Sequence, residues 1–182
     1  MRPQRKLDGT SLESESGFSL IELLIVVAVI LIIASIAVPS FLRARMVANE
    51  ASAAAGVRSI TTAATNYSTT YGNGYPPSLV ALSKAGPASC DLSDLADPII
   101  AAAPHQKSGY TFGYTGQTVN PAPVTGCASA GYGGYVITAV PITLGSTGQR
   151  SFCSDTPGVI HADITGIAAP TVAACDALPP LE

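Results

Sequence analysis

Residues 17–39, GFSLIELLIVVAVILIIASIAVP, form an unbroken apolar run that contains one charged residue, Glu22. The 21 residues from 18 to 38 would make a helix about 30 Å long, close to the thickness of the hydrocarbon core of a bilayer. In lipid the backbone can satisfy its hydrogen bonds only within the segment, so a spanning segment here must be helical. The run therefore predicts a transmembrane helix over residues 18–38.

Glu22 is a residue that a simple membrane anchor does not require. A carboxylate within a spanning segment costs about 2.5–3.5 kcal/mol on insertion scales. In one interpretation Glu22 lies near the helix end, reaches the interface and is favoured by the helix dipole. In the other, which we favour, Glu22 requires a positive partner once the helix packs against copies of itself.

The residues around Glu22 resemble a processing signature. Residues 17–27, GFSLIELLIVV, are similar to the prepilin motif of type IV pilins and type II secretion pseudopilins. That motif is a glycine, then a hydrophobic and usually aromatic residue, then a glutamate four positions later. Pro39 also lies where pilins commonly have a proline. The resemblance is specific up to about residue 60, and beyond that point it is one of architecture only.

The resemblance implies that residues 1–17 are a leader peptide, that a prepilin peptidase cuts between Gly17 and Phe18, and that the new amine of Phe18 is methylated. It also implies a homopolymeric filament with the apolar helix in its core. The Phe18 amine would be a cation one helical turn from Glu22. We therefore expect the Glu22 of an incoming subunit to pair with the Phe18 amine of a neighbour, which makes both charges tolerable and fixes the axial register.

A competing interpretation is an ordinary secretory signal. Ser35 and Ala37 are small residues at the spacing that signal peptidase recognises, and a cut before Val38 would release a soluble domain. The charge of Glu22 within the apolar region argues against this interpretation, and so does the Gly17–Phe18 junction.

The charges that flank the helix do not decide its orientation. Arg43 and Arg45 follow it, but basic residues also precede it, whereas the positive-inside rule requires an asymmetry. The resemblance implies an N-terminus in the cytoplasm and a globular part outside.

The helix is predicted to continue as an amphipathic segment over residues 39–72. Pro39 lacks an amide hydrogen and should kink or locally melt the helix. Glu50 lies off the apolar stripe, and glycines at positions 72 and 74 favour a helix end there. The stripe consists of apolar and small residues spaced three or four apart, as on a helix that packs on a sheet: Val47, Ala51, Ala54, Val57, Ile60, Ala64, Tyr67 and Tyr71.

Residues 73–182 predict a small globular region. Residues 78–84 favour a short helix, residues 120–133 an exposed loop, and residues 164–182 a tail with little periodicity. Four segments have strand patterns, and they are residues 110–115, 134–140, 150–153 and 159–161. Successive strands laid on a helix predict the α+β class. Together with the prepilin motif they resemble the pilin fold, in which a long N-terminal helix, apolar in its first half, packs on a small antiparallel sheet.

The four cysteines all follow the predicted membrane helix, at Cys90, Cys127, Cys153 and Cys175. An even number of cysteines in an exported region predicts up to two disulfides, and the sequence leaves three pairings open. The resemblance favours Cys153–Cys175, which would fasten the C-terminal tail as in many pilins. The spacing of a zinc site is absent.

Composition and motifs argue against several function classes. Only 12% of the 182 residues are charged, the formal charge is −3, and no basic face indicates a nucleic-acid partner. The two histidines, His105 and His161, are predicted to lie at the surface, and no nucleophile elbow or nucleotide-binding loop is present. Asp91, Asp94 and Asp97 lack the spacing of a calcium loop and are predicted to serve as caps and turns. We therefore expect no catalysis, no cofactor and no metal.

The sequence thus predicts a structural subunit that resembles a type IV pilin. It would be made in the inner membrane of a bacterium and assembled into an extracellular pilus for adhesion, motility or DNA uptake. The resemblance implies as partners a prepilin peptidase and methyltransferase, an inner-membrane platform protein, a separate assembly ATPase and, in a cell with two membranes, an outer-membrane secretin.

Three alternatives stay open. The chain could be a type II secretion pseudopilin, although the four cysteines and the long variable middle favour a pilin. It could be a minor pilin at the filament tip with binding duties. From another class, it could be an anchored domain that never polymerises, or a secreted enzyme, although the missing catalytic motifs make an enzyme a weak alternative.

Overall fold

The computed structural model describes residues 18–84 and 86–181. Gly17 and the rest of the predicted leader, residues 1–17, lie outside the described residues. The chain divides into two units, Met1–Ser40 and Phe41–Glu182. The helix α1, Leu20–Tyr71, contributes residues to both.

The first unit is helical from Leu20 onward. None of its described residues is buried. Among the described residues, α1 is the helix that is long and apolar enough to cross a membrane. Pro39 lies inside the helix, and its effect on the helix direction stays a prediction.

The second unit contains a five-stranded antiparallel sheet. Each strand pairs with the next along the chain, so the order is β1-β2-β3-β4-β5. The longest pairing places Tyr110 opposite Pro141 and Val119 opposite Tyr132. The strands are β1 Gln106–Lys107, β2 Tyr110–Val119, β3 Tyr132–Pro141, β4 Ser151–Asp155 and β5 Ile160–Asp163. The prediction of an α+β fold, with a long helix and a small antiparallel sheet, is confirmed.

The limits of all four predicted strands differ from those observed, by one or two residues for β3, β4 and β5 and by four residues for β2. β2 continues to Val119, which pairs with Tyr132 of β3, and the Tyr132 ring covers Gly116, where a Cβ would clash with the ring. The two-residue strand β1 was not predicted, since Gln106 and Lys107 carry no apolar pattern.

The second half of α1 packs on one face of the sheet through small residues. A Cβ on Gly56 would lie 2.7 Å from the Phe112 ring, so this glycine permits a close approach between the helix and β2. Large side chains on both sides complete the core, among them Ile60 and Tyr67 from α1 and Ile137 from β3. Burial of this apolar surface is the main term that stabilises the unit.

The predicted apolar stripe is wrong at its first positions. Val47 is 64% exposed and Ala51 is also exposed, because the part of α1 that the core covers begins at Glu50 and Ala53. Glu50, which was expected to lie off the stripe, is buried. Glu50 can be buried because the loop before β4 supplies hydrogen-bond donors to its carboxylate.

The connecting region, residues 72–105, links α1 to β1, and its described residues include two short helices. A single 3₁₀ turn, Val80–Leu82, stands where a short helix was predicted. The helix α2, Pro98–Ala101, begins after Asp97, whose side chain accepts a hydrogen bond from the Ile99 amide.

The tail, whose sequence shows little periodicity, contains regular structure over part of its length. It contains α3, Val172–Asp176, which Thr171 caps. Beyond α3 the chain runs along β5: the Ala162 amide donates to the Pro179 carbonyl at 3.1 Å, and the Leu181 amide donates to the Ile160 carbonyl at 2.7 Å. Backbone pairing of this kind needs no side-chain periodicity, so the sequence pattern does not indicate it. We call residues 172–181 the C-terminal segment.

Candidate functional site

The N-terminal turn of α1 places Glu22 next to the first described residues. The Ser19 amide donates to Glu22 Oε2 at 2.9 Å, so the carboxylate caps the helix from its first turn. Phe18 is 78% exposed. Sequence reasoning missed this cap, although a serine followed three residues later by a glutamate is its usual signature.

In this capping geometry the Glu22 carboxylate can still accept a further hydrogen bond. A carboxylate has two oxygens and about four acceptor positions, and the Ser19 amide occupies one of them. An amine on Phe18, or on the same residue of a neighbouring copy, would therefore find a fixed acceptor here. This arrangement supports both interpretations of Glu22, since helix capping and charge pairing are compatible.

The apolar side chains of the first unit are left uncovered. Such a surface is unfavourable in water, at about 25 cal/mol per Å², and large exposed apolar patches mark contacts with membranes or partners. The large side chains exposed in this unit are Phe18, Leu20, Ile21, Leu23, Leu24, Ile25, Val26, Val27, Val29, Ile30, Leu31, Ile32, Ile33, Ile36 and Val38. Such side chains favour contact with lipid or with other protein chains.

Glu50 joins α1 to the loop before β4. Its Oε1 accepts from the amides of Gln149 at 2.9 Å and Arg150 at 3.2 Å. Its Oε2 accepts from Arg150 Nε at 2.9 Å and lies 2.8 Å from Arg150 Nη2. Burial on its own raises the pKa of this carboxyl, but the hydrogen bonds from Gln149 and Arg150 outweigh burial and hold the pKa below its usual value.

A groove of about 440 Å³ lies beside the Glu50–Arg150 pair. Met46, Val47 and Ile164 are among the residues that line it. Its lining includes no serine, threonine, cysteine or histidine, so it offers no nucleophile with an adjacent base.

The four cysteines form two disulfides. Cys153 pairs with Cys175, which is the pairing that the resemblance implied, and Cys90 pairs with Cys127. The first joins β4 to α3. The second joins the connecting region to the loop between β2 and β3, and beside it the Tyr67 hydroxyl donates to the Cys90 carbonyl at 2.8 Å.

The aspartates of the connecting region bind neighbouring groups rather than one another. Asp91 accepts from the Ala128 amide, Asp94 pairs with Lys84, and Asp97 caps α2. Within residues 18–84 and 86–181, no group of three or more histidine, cysteine or acidic side chains could hold a metal ion.

The prediction that both histidines lie at the surface is wrong. His161 is 9% exposed, and its Nδ1 lies 2.6 Å from the Leu178 carbonyl. His105 is half-buried, with Nδ1 2.8 Å from the Ile100 carbonyl. The C-terminal segment lies against the His161 ring, and because that segment has no clear sequence pattern, the sequence placed His161 at the surface.

Comparison with known proteins identifies one motif. Residues 14–38 match the family model of the prokaryotic N-terminal methylation motif. The match confirms the resemblance for this part of the chain and supports a class III signal peptide of the type IV pilin and pseudopilin kind. The matched range includes Gly17, Phe18 and Glu22. No curated protein and no solved structure is significantly similar to the chain.

Proposed function

We propose that the chain is the precursor of a type IV pilin, cut between Gly17 and Phe18, methylated on the Phe18 amine and polymerised into an extracellular pilus. The observation that carries this proposal is the methylation motif at residues 14–38, joined to a helix whose large apolar side chains are exposed among the described residues of the first unit. Membrane anchoring before assembly follows from the same motif and helix.

Each part of the N-terminal turn has a role in this proposal. The apolar helix holds the precursor in the inner membrane, where lipid covers its side chains. During assembly other copies of the helix replace the lipid. Glu22 then pairs with the Phe18 amine of a neighbour, and the pair sets the register of the subunits. Pro39 provides a weak point in the backbone hydrogen bonding of α1.

The second unit has a feature that is expected of a stable domain outside the cytoplasm. Its two disulfides are typical of proteins in oxidising compartments. The chain would depend on a prepilin peptidase and methyltransferase, a platform protein, an assembly ATPase and, where two membranes exist, a secretin. A structural role needs no catalytic group of its own.

Filament imaging at native expression tests the proposal against the pseudopilin alternative. Antibodies raised against the second unit are expected to label thin surface filaments in electron micrographs and to detect the chain in the sheared surface fraction. Deletion of the gene should remove those filaments. Restriction of the chain to the inner membrane, together with loss of protein secretion on deletion, would instead support a pseudopilin. Filaments that persist after deletion but carry label only at their tips would support a minor pilin.

A further inference from the structure

The groove beside Glu50 and Arg150 has an excess of positive charge. Its lining contains two arginines, Arg43 and Arg150, and one acid, Glu50. Oε1 of Glu50 accepts the amides of Gln149 and Arg150, and Oε2 faces Nε and Nη2 of Arg150. These donors fill the acceptor positions of a carboxylate, so Glu50 has little capacity left to neutralise Arg43.

Both arginines keep donors that a ligand in the groove can use. Arg150 faces Glu50 with Nε and Nη2, and its side chain is 42% exposed. A guanidinium has five N–H donors, so the Nη1 branch of Arg150 is left for another acceptor. Arg43 is exposed, and within residues 18–84 and 86–181 no acidic side chain lies within ion-pair distance of it. Guanidinium groups of this kind bind phosphate oxygens in pairs.

Much of the remaining lining is apolar. Met46 and Val47 follow Arg43 on α1, and Ile164 comes from the turn after β5. Ile164 is 80% exposed, although burial of a side chain of this size is favourable by about 1.5–3 kcal/mol. A groove with guanidinium groups beside exposed apolar side chains matches a ligand that has both an anionic part and an apolar part.

The turn that contains Ile164 has a fixed conformation. The Thr165 amide donates to Asp163 Oδ1 at 2.8 Å, and the Thr165 hydroxyl donates to Oδ2 at 2.7 Å. A Cβ on Gly166 would clash with the Leu144 side chain, so Leu144 packs against this turn. Leu144 and Ile167 are exposed as well. Exposed apolar side chains therefore continue beyond the groove itself, as they do where a protein meets a membrane.

The position of Arg43 in the chain places the groove near lipid. Arg43 follows Val38, the last residue of the predicted membrane segment, by five residues. Five residues span at most about 18 Å, so Arg43 must stay close to the membrane surface while residues 18–38 cross the bilayer. This step rests on the membrane stage of the proposed function.

We propose that this groove binds the headgroup of an anionic phospholipid while the chain is in the membrane. Arg43 and the Nη1 branch of Arg150 bind the phosphate, and the glycerol and first acyl carbons lie against Val47 and Ile164. The apolar lining favours a lipid over a free phosphate ion, because only a ligand with an apolar part gains from covering it. The cation of a zwitterionic headgroup would be repelled by the arginines. The bound lipid would hold the second unit at the membrane surface before assembly.

Native mass spectrometry of the full chain in detergent micelles tests the groove. Phosphatidylglycerol and phosphatidylcholine are added in parallel titrations. We expect one saturable phosphatidylglycerol adduct per chain and about fivefold weaker binding of phosphatidylcholine. Equal binding of the two lipids would overturn the proposal. Displacement of phosphatidylglycerol by an equimolar amount of glycerol 3-phosphate would reduce the groove to a simple anion site. A dimer without lipid as the main species would assign the groove to a second copy of the chain.

Arg43→Gln and Arg45→Gln distinguish a built site from general attraction to anionic lipid. Both variants remove one positive charge from an exposed position of α1, but Arg45 is not among the residues that line the groove. We expect Arg43→Gln to weaken phosphatidylglycerol binding about fivefold and Arg45→Gln to change it less than about twofold. Equal losses in the two variants would overturn the proposal.

Ile164→Asn and Val159→Asn test the apolar part in the same way. Both residues are exposed, so neither variant should impair folding, and Val159 lies outside the groove lining. Ile164→Asn should weaken phosphatidylglycerol binding about threefold, and Val159→Asn should leave it unchanged. Unchanged binding in Ile164→Asn would contradict contact between the lipid and this turn.

The lipid titration requires neither cleavage nor polymerisation. A chain that binds no lipid but is processed and assembled would exclude the lipid site and leave the proposed pilin function standing. A chain that binds phosphatidylglycerol through Arg43 but is never processed would confirm the site and exclude the pilin function.

Discussion

Glu22→Ala is expected to abolish filament assembly while leaving a processed protein in the membrane. The substitution leaves the Phe18 amine of a neighbouring subunit without its counter-charge in an apolar core. Breaking a buried pair in this way costs about 3–5 kcal/mol, so filament yield should fall at least about a hundredfold. The measurement is the amount of chain in the sheared surface fraction relative to the membrane fraction, with the N-terminus read in both.

Glu22→Gln separates the two roles that the geometry allows for this residue. A glutamine keeps an oxygen for the Ser19 amide and so keeps the helix cap, but it has no charge for the amine. We expect Glu22→Gln to be about as defective as Glu22→Ala. Normal filament yield from Glu22→Gln would mean that Glu22 acts as a cap and that the charge pair is not required.

Glu50→Ala is expected to destabilise the second unit substantially. It removes the acceptor of two backbone amides and the partner of the Arg150 side chain. Hydrogen bonds to a charged group contribute about 1.5–3 kcal/mol each, and they are not additive, so we expect a loss of about 3 kcal/mol. Urea unfolding of the full chain in detergent, followed by tyrosine circular dichroism, measures it. Arg58→Ala, an exposed change on the same helix, is the control and should have little effect.

The contribution of Glu50 should disappear in acid. Its pKa is lowered in the folded chain, so its stabilisation is fully present above the unfolded value of about 4.3 and is lost as the pH falls through the folded value. The difference in unfolding free energy between wild type and Glu50→Gln should be constant above about pH 5.5 and shrink below about pH 4. A difference that does not change with pH would show that the charge of Glu50 is not responsible.

The processing motif, the apolar helix and most of the strands could be predicted from the sequence, because the residues that indicate them lie close together in the chain. Residues 17–27 and the apolar run contain the motif within a few turns of helix, and the four strand segments have short-range patterns of their own. The cap that Glu22 forms was missed, although its signature is equally local, since Ser19 and Glu22 are three residues apart.

The burial of polar side chains in the second unit depends on contacts between residues far apart in the chain. A single sequence does not reveal such contacts. Glu50 is buried because the loop at Gln149 and Arg150 supplies its donors, about a hundred positions along the chain. His161 is buried because residues 178–181 lie over β5. Each of these polar groups looks like a surface residue in the linear sequence.

The most direct test of the central claim is the mass of the N-terminal peptide of the protein recovered from membranes and from the sheared surface fraction. If the proposed processing is correct, we expect the chain to begin at Phe18 and to carry one additional methyl group on its amine. A chain that begins at Met1 would contradict processing and indicate an anchor that never polymerises. A chain that begins at Val38 would show that the apolar helix is a discarded signal, and the assembly role of Glu22 would be excluded.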